Sequence, residues 1–595
     1  MRTCTTLNRV PIAAVLTLTA GAAHATLSST PIALTDTTGP LGPNQGPLTF
    51  VQLNNATPAI NASGAIAFRG QNSVMADNGN NGVINNNRGT GGIWVRETGV
   101  NNVRAQIGDP TPDSLTYLFG AGGGFQSVQL ADNGSLAYAN AQSSATSQSP
   151  GSNFVQSPGT SILNRMAVTA PGAGGATFNL TSAGTLSQSN SGQYLIAASL
   201  AGTGVVSTSG DANRNDSGVW MGSNGSLSLL YRRNMPLDAL TGGVKPDGTP
   251  TSFTGVRMGD FSISTTGVFN GNGHYLWRGQ NLQGSVITTS GPTQNTNAIF
   301  SNISGSLQAI ARSGDMAAGT LPADNTTYGG FSTVALNNQD RYAFSVGLRV
   351  GAATSTTSTV YSNHVNGTQQ MLLRQGTAVP ASLTLPAGTL WGTVTTTMVL
   401  GGGNHLVFNT QSLTGPGITT ATNAALVMSK PDGSFSEIFQ KGVTISPAFL
   451  PSTGESTVFT TVGDFAVNAL GQVAFFSQLA GSVSTTTTSS GLFAYDQYGT
   501  THLIAQTGAP FEVAPGDIRT VAAASATTFG SGMSYALASG GQDGRASGLS
   551  DSGLFTYALR FTDGSSGVFI TQIPSPGAAA LLGLGGLLAA RRRRH

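Results

Sequence analysis

Asn61-Ala62-Ser63-Gly64-Ala65-Ile66-Ala67-Phe68 and Asn468-Ala469-Leu470-Gly471-Gln472-Val473-Ala474-Phe475 are copies of one pattern, and its recurrence decides the fold. Looser copies start at Ala131, Ser189, Ser264, Asn337, Gly401 and Ser550, with successive starts about 58 to 82 residues apart. A long, regular period of this kind signals a propeller, solenoid or array. Asn and Gly supply positive φ at a tight turn, and the apolar pair after them opens a returning strand. An apolar strand precedes the turn, as in Phe125 to Leu130, Phe331 to Leu336 and Phe465 to Val467. Further upstream lies a second hairpin, for example Gly91 to Val95, a turn at Thr98-Gly99, and Val103 to Ile107. Each unit therefore reads as four antiparallel strands, numbered 1 to 4 in chain order, which is the content of a propeller blade.

The ends of the array add a constraint. The first unit begins with Pro31 to Thr35 and lacks its opening strand, while a lone opening strand, Gly567 to Thr571, is left over after the eighth unit. A vacancy at one end and an orphan at the other imply a ring; a linear solenoid would carry capped ends. The expectation is an all-β fold: a β-propeller of about eight four-stranded blades closed by N- and C-terminal strands, filling residues 26–572.

Composition limits the chemistry available. Charged residues make up 8% of the 595, against about 25% in an average chain, so few groups exist for acid, base or ion-pair work. The formal net charge is +2. With no Lys/Arg stripe outside the C-terminal tail, nucleic acid is excluded as a partner. The only cysteine is Cys4, so from Thr26 onward the chain has neither disulfides nor a thiol nucleophile.

Both ends read as sorting segments. Arg2 and Arg9 precede an apolar run from Pro11 to Ala23, and Ala23-His24-Ala25 has the small-x-small pattern of a signal-peptidase site, making residues 1–25 a helical signal peptide. At the other end Pro574-Ser575-Pro576 leads into an uncharged apolar run, Gly577 to Ala590, and then Arg591, Arg592, Arg593 and Arg594. Such a run is held in a bilayer with the arginines on the cytoplasmic side. Residues 573–595 closely resemble the PEP-CTERM family of surface-sorting signals, whose pattern is Pro-acid-Pro, an apolar helix and an Arg cluster. Ser575 stands where that family has Glu. The repeats are also similar to those of anchored bacterial proteins named for tandem Asn-x-x-Gly-x-x-Ala-Phe units. These resemblances imply export, an inner-membrane-tethered intermediate processed by an envelope transpeptidase, and a final place at the cell surface or in an exopolysaccharide matrix.

The strand alternation places the 1-2 and 3-4 turns on one face and the longer 2-3 and 4-1 connections on the other. Function is expected on the long-loop face. Asp211, Asn213, Asn215 and Asp216 space oxygen ligands as a calcium loop does, yet Asp216 occupies the place of the EF-hand Gly and Gly222 that of its Glu, so a polar turn without metal is the preferred reading and calcium the only cofactor considered. Gly108-Asp109, Gly314-Asp315 and Gly508 end equivalent strands and read as turns. His274, His364, His405 and His502 fall in different units without metal-ligand spacing. Trp94 and Trp220 sit in opening strands equivalent to those of Phe300, Tyr361 and Phe493 and read as core. Neither a Gly-x-Ser-x-Gly elbow nor a His-Glu-x-x-His zinc motif occurs, and Gly120 to Gly124 enters a strand where a phosphate loop would open a helix. The functional expectation is a non-enzymatic envelope protein with a structural or glycan-binding role. The alternative is an extracellular polysaccharide hydrolase or lyase, with Asp109, Asp315, Glu455, Glu512 and Asp517 as the available carboxylates.

Overall fold

The computed structural model describes residues 27–575 except 38, 42, 44–48, 54–56, 73–89, 108–109, 112–113, 120–124, 145–147, 158–159, 166–167, 180–184, 209–210, 212, 224–225, 262–266, 288–293, 352, 354–355, 445–456, 482–489 and 524–531. The signal segment with Ala23 and Ala25, the tail from Pro576 through Arg594, Asp109, Glu455 and the glycine run at 120–124 lie outside the described residues, and so do both expected terminal helices. Among the described residues, helical structure is limited to the 3₁₀ turns Gly39–Leu41 and Pro322–Asp324.

The described chain is all-β and arranged as a β-propeller. It carries eight antiparallel sheets of four to six strands, which we number in chain order: 50–106, 110–165, 177–232, 260–312, 326–374, 393–440, 458–506, and a closing sheet. Sheet 5 shows the plan, with Thr326–Leu336, Tyr342–Val350, Thr357–Ser362 and Gln370–Arg374 paired in chain order from inside to outside. In the closing sheet the outermost strand is Ser29–Leu34, which pairs with Ser566–Gln572 in the register Ser29↔Thr571 to Leu34↔Gly567. The vacancy and the orphan strand seen in the sequence are thus partners.

Two expectations need correction. The units read from sequence are out of phase with the sheets by two strands: the repeat strand pairs with the opening strand of the following unit, as Phe68↔Trp94 and Phe475↔Phe493 show. The 4-1 connection therefore lies within a sheet, and the 2-3 connection passes between sheets. Secondly, the copy placed at Ser264 is displaced. Gly267–Phe269 is already inner strand, and the turn is Asn270-Gly271-Asn272-Gly273, where Asn270 carries the repeat's bonds.

The same cross-strand pair recurs in every sheet: Phe68↔Trp94, Tyr138↔Phe154, Ile196↔Trp220, Trp277↔Phe300, Phe344↔Tyr361, Phe408↔Val427, Phe475↔Phe493 and Tyr557↔Phe569. Outside sheet 2, a large ring opposite an apolar side chain fixes register, since a one-residue slip would turn both out of the core. Trp94, Trp220, Phe300, Tyr361 and Phe493 are fully buried, as core residues should be. Glycine two residues before the aromatic makes room for it. A Cβ on Gly92 would come within 2.8 Å of the Trp94 ring, and one on Gly218 within 2.6 Å of Trp220.

The repeat asparagine does two jobs. Asn337 Oδ1 accepts the N–H groups of Gln339 (3.0 Å) and Arg341 (3.1 Å), closing its own turn, while Nδ2 donates to Gly401 O (2.9 Å) and Asn404 Oδ1 (2.8 Å) in the next turn. Asn61 reaches Ala131 O, Asn270 reaches Asn337 O and Asn468 reaches Ser550 O in the same way. Where Asn is absent, Ser550 Oγ still accepts Leu554 N–H. Asp132 N donates to Asn190 O between sheets 2 and 3, and the circuit returns to sheet 1 where Ile60 N donates to Ser547 O.

A feature with no counterpart in the repeat occupies the centre. The inner strand of the closing sheet breaks after Met533–Tyr535, and the chain passes among the inner strands of the other sheets before rejoining at the Leu549↔Phe555 bridge. Along the way it takes backbone bonds from Ile60, Gln188, Phe269 and Val467 to Ser547, Gly544, Asp543 and Ser539. Gln542 adds side-chain bonds to Asn338 N and Asp551 Oδ2. Sheets 1, 3, 4, 5 and 7 are thereby tied to one central segment.

Candidate binding face and seam cleft

The short turns lie together on one face. Asn302, in the 1-2 turn of sheet 4, accepts from Tyr275 N and donates to Gly273 O beside the repeat turn. The long connections build the opposite face, where they pair with one another. Val256–Arg257 pairs Gln283–Gly284, Leu390 bridges both Ala378 and Thr414, and two hairpins, Thr241–Val244 with Pro250–Ser252 and Pro510–Ala514 with Asp517–Thr520, rise from it. Among the described residues, exposed large apolar side chains gather there as well: Val51, Val168, Met235, Val244, Ile287, Leu321, Val350, Val443 and Ile518, against Leu470 and Tyr498 on the turn face. Folding leaves single apolar side chains exposed everywhere, but their concentration on one face is informative.

The candidate carboxylates separate into different environments. Asp315 is 2% exposed. It accepts from Thr251 Oγ1 and from Gly243 N (3.0 Å), so it fastens the 241–252 hairpin, and burial pushes its carboxyl pKa up. Beside it Arg312 donates to Ser252 O and lies over the Phe253 ring. Asp517 is held by both Nε and Nη2 of Arg519 (3.0 and 2.8 Å), which keeps its carboxyl below the ordinary range. Glu512 accepts from Gly516 N within the same hairpin. The structure therefore places Asp315 with sheets 4 and 5, and Glu512 and Asp517 at the seam between sheet 7 and the closing sheet.

That seam contains a cleft of about 710 Å³, lined by Leu27 to Pro31, Leu503 to Gln506 and the 509–515 segment with Ile518. Its walls are the outermost strands of the two neighbouring sheets, and its floor is largely apolar, with Glu512 as the charged group. A smaller polar cavity of about 40 Å³ lies at the hub between Asp132, Gln188, Asn190, Arg545 and Asp551.

The calcium-like loop uses its oxygens internally. Asp211 Oδ1 accepts from Asn213 N (2.7 Å), Asn215 Oδ1 from Val206 N (2.8 Å), and Asp216 pairs with Arg214 (3.0 Å) and Arg233 (3.5 Å). Two arginines against one carboxylate do not suit a cation site, so these residues do not fit calcium. Among the described residues no cluster of three or more His, Cys, Asp or Glu side chains is placed to hold a metal.

The histidines act as joints on the turn face. His274 Nδ1 meets Asp340 Oδ1 (2.8 Å) across sheets 4 and 5, His364 lies between Ser362 and Ser429 Oγ (2.8 and 3.0 Å), and His502 bonds Asp496. Burial, with His405 alongside, pulls the His364 imidazole down to about 4. It is therefore neutral in the fold and protonates more readily in the unfolded chain, so its contribution to stability is lost as pH falls from about 6.5 toward 4. Unfolding titrations should show about 2 kcal/mol less stability at pH 5 than at pH 7.5 from this group. His364→Gln should remove that part of the pH dependence; an unchanged profile would contradict the assignment.

Sequence reasoning missed the central segment 536–549 and the seam cleft. The first is Gly- and Ser-rich, and the second arises only when residues near 30 and 510 meet.

Residues 29–233 and 208–580 match a family described as a family of unknown function (DUF7453). No curated protein matches the sequence significantly. Among solved structures, the chain is similar to a polysaccharide lyase of a new family, an ulvan lyase, at 10% identity and a TM-score of 0.30, covering 75% of this chain and 91% of that one. A Trypanosoma rangeli sialidase matches at 9% identity and 0.24 over 80% and 57%, and PorZ, a surface component of the type-IX secretion system of Porphyromonas gingivalis, at 12% and 0.25 over 85% and 61%. Likenesses this distant assign no chemistry to the chain.

Proposed function

This chain belongs to a family of unknown function (DUF7453), and for it we propose an exported, surface-anchored or matrix-associated protein of the bacterial envelope with a structural or glycan-binding role, built as one closed ring of eight blades. The observation that carries the reading is the segregation of exposed apolar side chains onto the long-loop face. Sugar rings present C–H faces that such side chains cover, and the Ser, Thr and Asn of the loops supply hydrogen-bonding partners for the hydroxyls. Exopolysaccharide is the partner this surface fits. Pro574, Ser575, Pro576 and the arginines from 591 to 594 supply the sorting signal for a processing transpeptidase, and Ala23 and Ala25 the signal-peptidase site.

Binding to at least one envelope polysaccharide is expected on a glycan array, without turnover. Replacing Leu321, Val443 and Ile518 together by Ser should weaken that binding about tenfold or more while leaving the β-sheet circular dichroism unchanged. Release of new reducing ends or unsaturated products from any of these polysaccharides would replace this reading with a hydrolase or lyase.

A further inference from the structure

We propose that the turn face is the surface this protein sets against a phospholipid headgroup layer, so that the long-loop face points away from the membrane. The inference rests on the reading of residues 577–590 as a membrane anchor and adds the orientation. It starts from the closing sheet. In sheet 4 the third and outer strands are joined by a short turn on the turn face, Asn302 to Ser306, and in sheets 6 and 7 by Lys430 to Ser434 and Asp496 to Thr500. In the closing sheet the two chain ends occupy that place, because Ser29 opens the outer strand opposite Thr571 at the end of the third. Leu27 and Ile573 pack on one apolar cluster. Both ends therefore leave from the turn face at the same seam.

The C-terminal exit is held rigidly. Ile573 N donates to Gly553 O (2.8 Å), and Gln572 Nε2 donates to Ser552 O (3.0 Å). Gln472, fully buried, donates from Nε2 to Ile573 O (3.2 Å) and Pro574 O (2.7 Å), while its own Oε1 accepts from Asn468 Nδ2 (2.7 Å). The repeat asparagine of sheet 7 thus orients the glutamine that clamps the departing chain. From Ile573 to Gly577, where the apolar run begins, is four residues, a reach of about 14 Å at full extension. With so short a tether the turn face must lie close to the interface. Its chemistry suits headgroups, since it is paved with polar turns and, among the described residues, only Leu470 and Tyr498 protrude as large apolar groups.

The test uses the full chain carrying Cys4→Ser in phosphatidylcholine vesicles, with single nitroxide labels on Ser304→Cys or Thr368→Cys of the turn face and on Thr249→Cys or Thr420→Cys of the long-loop face. A nickel-chelating lipid should relax the turn-face labels several-fold more strongly than the others, and Gln472→Ala should narrow that difference. Equal relaxation on the two faces, or the reverse order, would overturn the orientation while leaving the anchor intact. Failure of the chain to float with the vesicles would instead overturn the anchoring reading beneath it.

Discussion

Replacing Asn337 by Ala should lower the unfolding free energy by about 3 kcal/mol, a large effect for a polar residue in a turn. The side chain is fully buried and makes four hydrogen bonds. Removing it leaves the half-buried Gln339 and Arg341 N–H groups without their acceptor and takes from Gly401 O one of its two donors, Asn404 N remaining. A stranded group costs about 1 to 3 kcal/mol when fully buried and less when water can reach it, as at Gln339, against the roughly 1 kcal/mol net worth of a hydrogen bond. Partial relaxation of the turn toward water brings the total to the value stated. Asn337→Asp should cost as much: it keeps the acceptors for the turn but sets a carboxylate against Gly401 O and Asn404 Oδ1. Asn366, whose Oδ1 accepts Thr368 N in an exposed turn, is the control, and its change to Ala should shift stability by less than about 1 kcal/mol. The check is the shift of the urea midpoint at constant slope. Equal midpoints for the Asn337 and Asn366 variants would show that the Asn chain between turns does not hold neighbouring sheets together.

What could be read in the sequence was what repeats. The aromatic of Ala67-Phe68 and the opening-strand Trp94 sit directly opposite each other, as do their equivalents, because a period-2 strand with one large ring has one register that buries it. Phase was not legible, since grouping strands 1-2-3-4 or 3-4-1-2 gives the same antiparallel order along the chain. The sheet-4 turn was misplaced because Ser264-Thr-Thr-Gly267 has turn composition, whereas the bonds that define the repeat belong to Asn270. The central segment was invisible for a different reason. It is held mainly by backbone bonds, such as Phe269 N to Asp543 O and Val467 N to Ser539 O, and backbone pairing leaves no side-chain signature. Asp315 shows the limit for sites: Gly314-Asp315 reads as a strand-ending turn, and its role as a buried clamp depends on Thr251 and Gly243, which lie 64 and 72 residues away.

The largest gain in stability should come from covalently closing the ring. Thr30 and Ile570 face each other across the two terminal strands; Thr30 is exposed and Ile570 half-buried, so Thr30→Cys with Ile570→Cys can form a disulfide at the loss of the Ile570 side chain's packing on the edge of one apolar cluster. The bridge joins positions near opposite ends of the sequence. A loop of that length removes so much freedom from the unfolded chain that about 4 kcal/mol of stabilisation is expected, after allowance for strain. No other thiol competes in a chain starting at Thr26, since Cys4 lies upstream. The decisive measurement is the state of these two cysteines in the oxidised monomer. A single intramolecular disulfide, with faster migration on a non-reducing gel and the predicted rise in urea midpoint, is the result expected of a ring closed by its two terminal strands. Free thiols, or bridges found only between molecules, would contradict it.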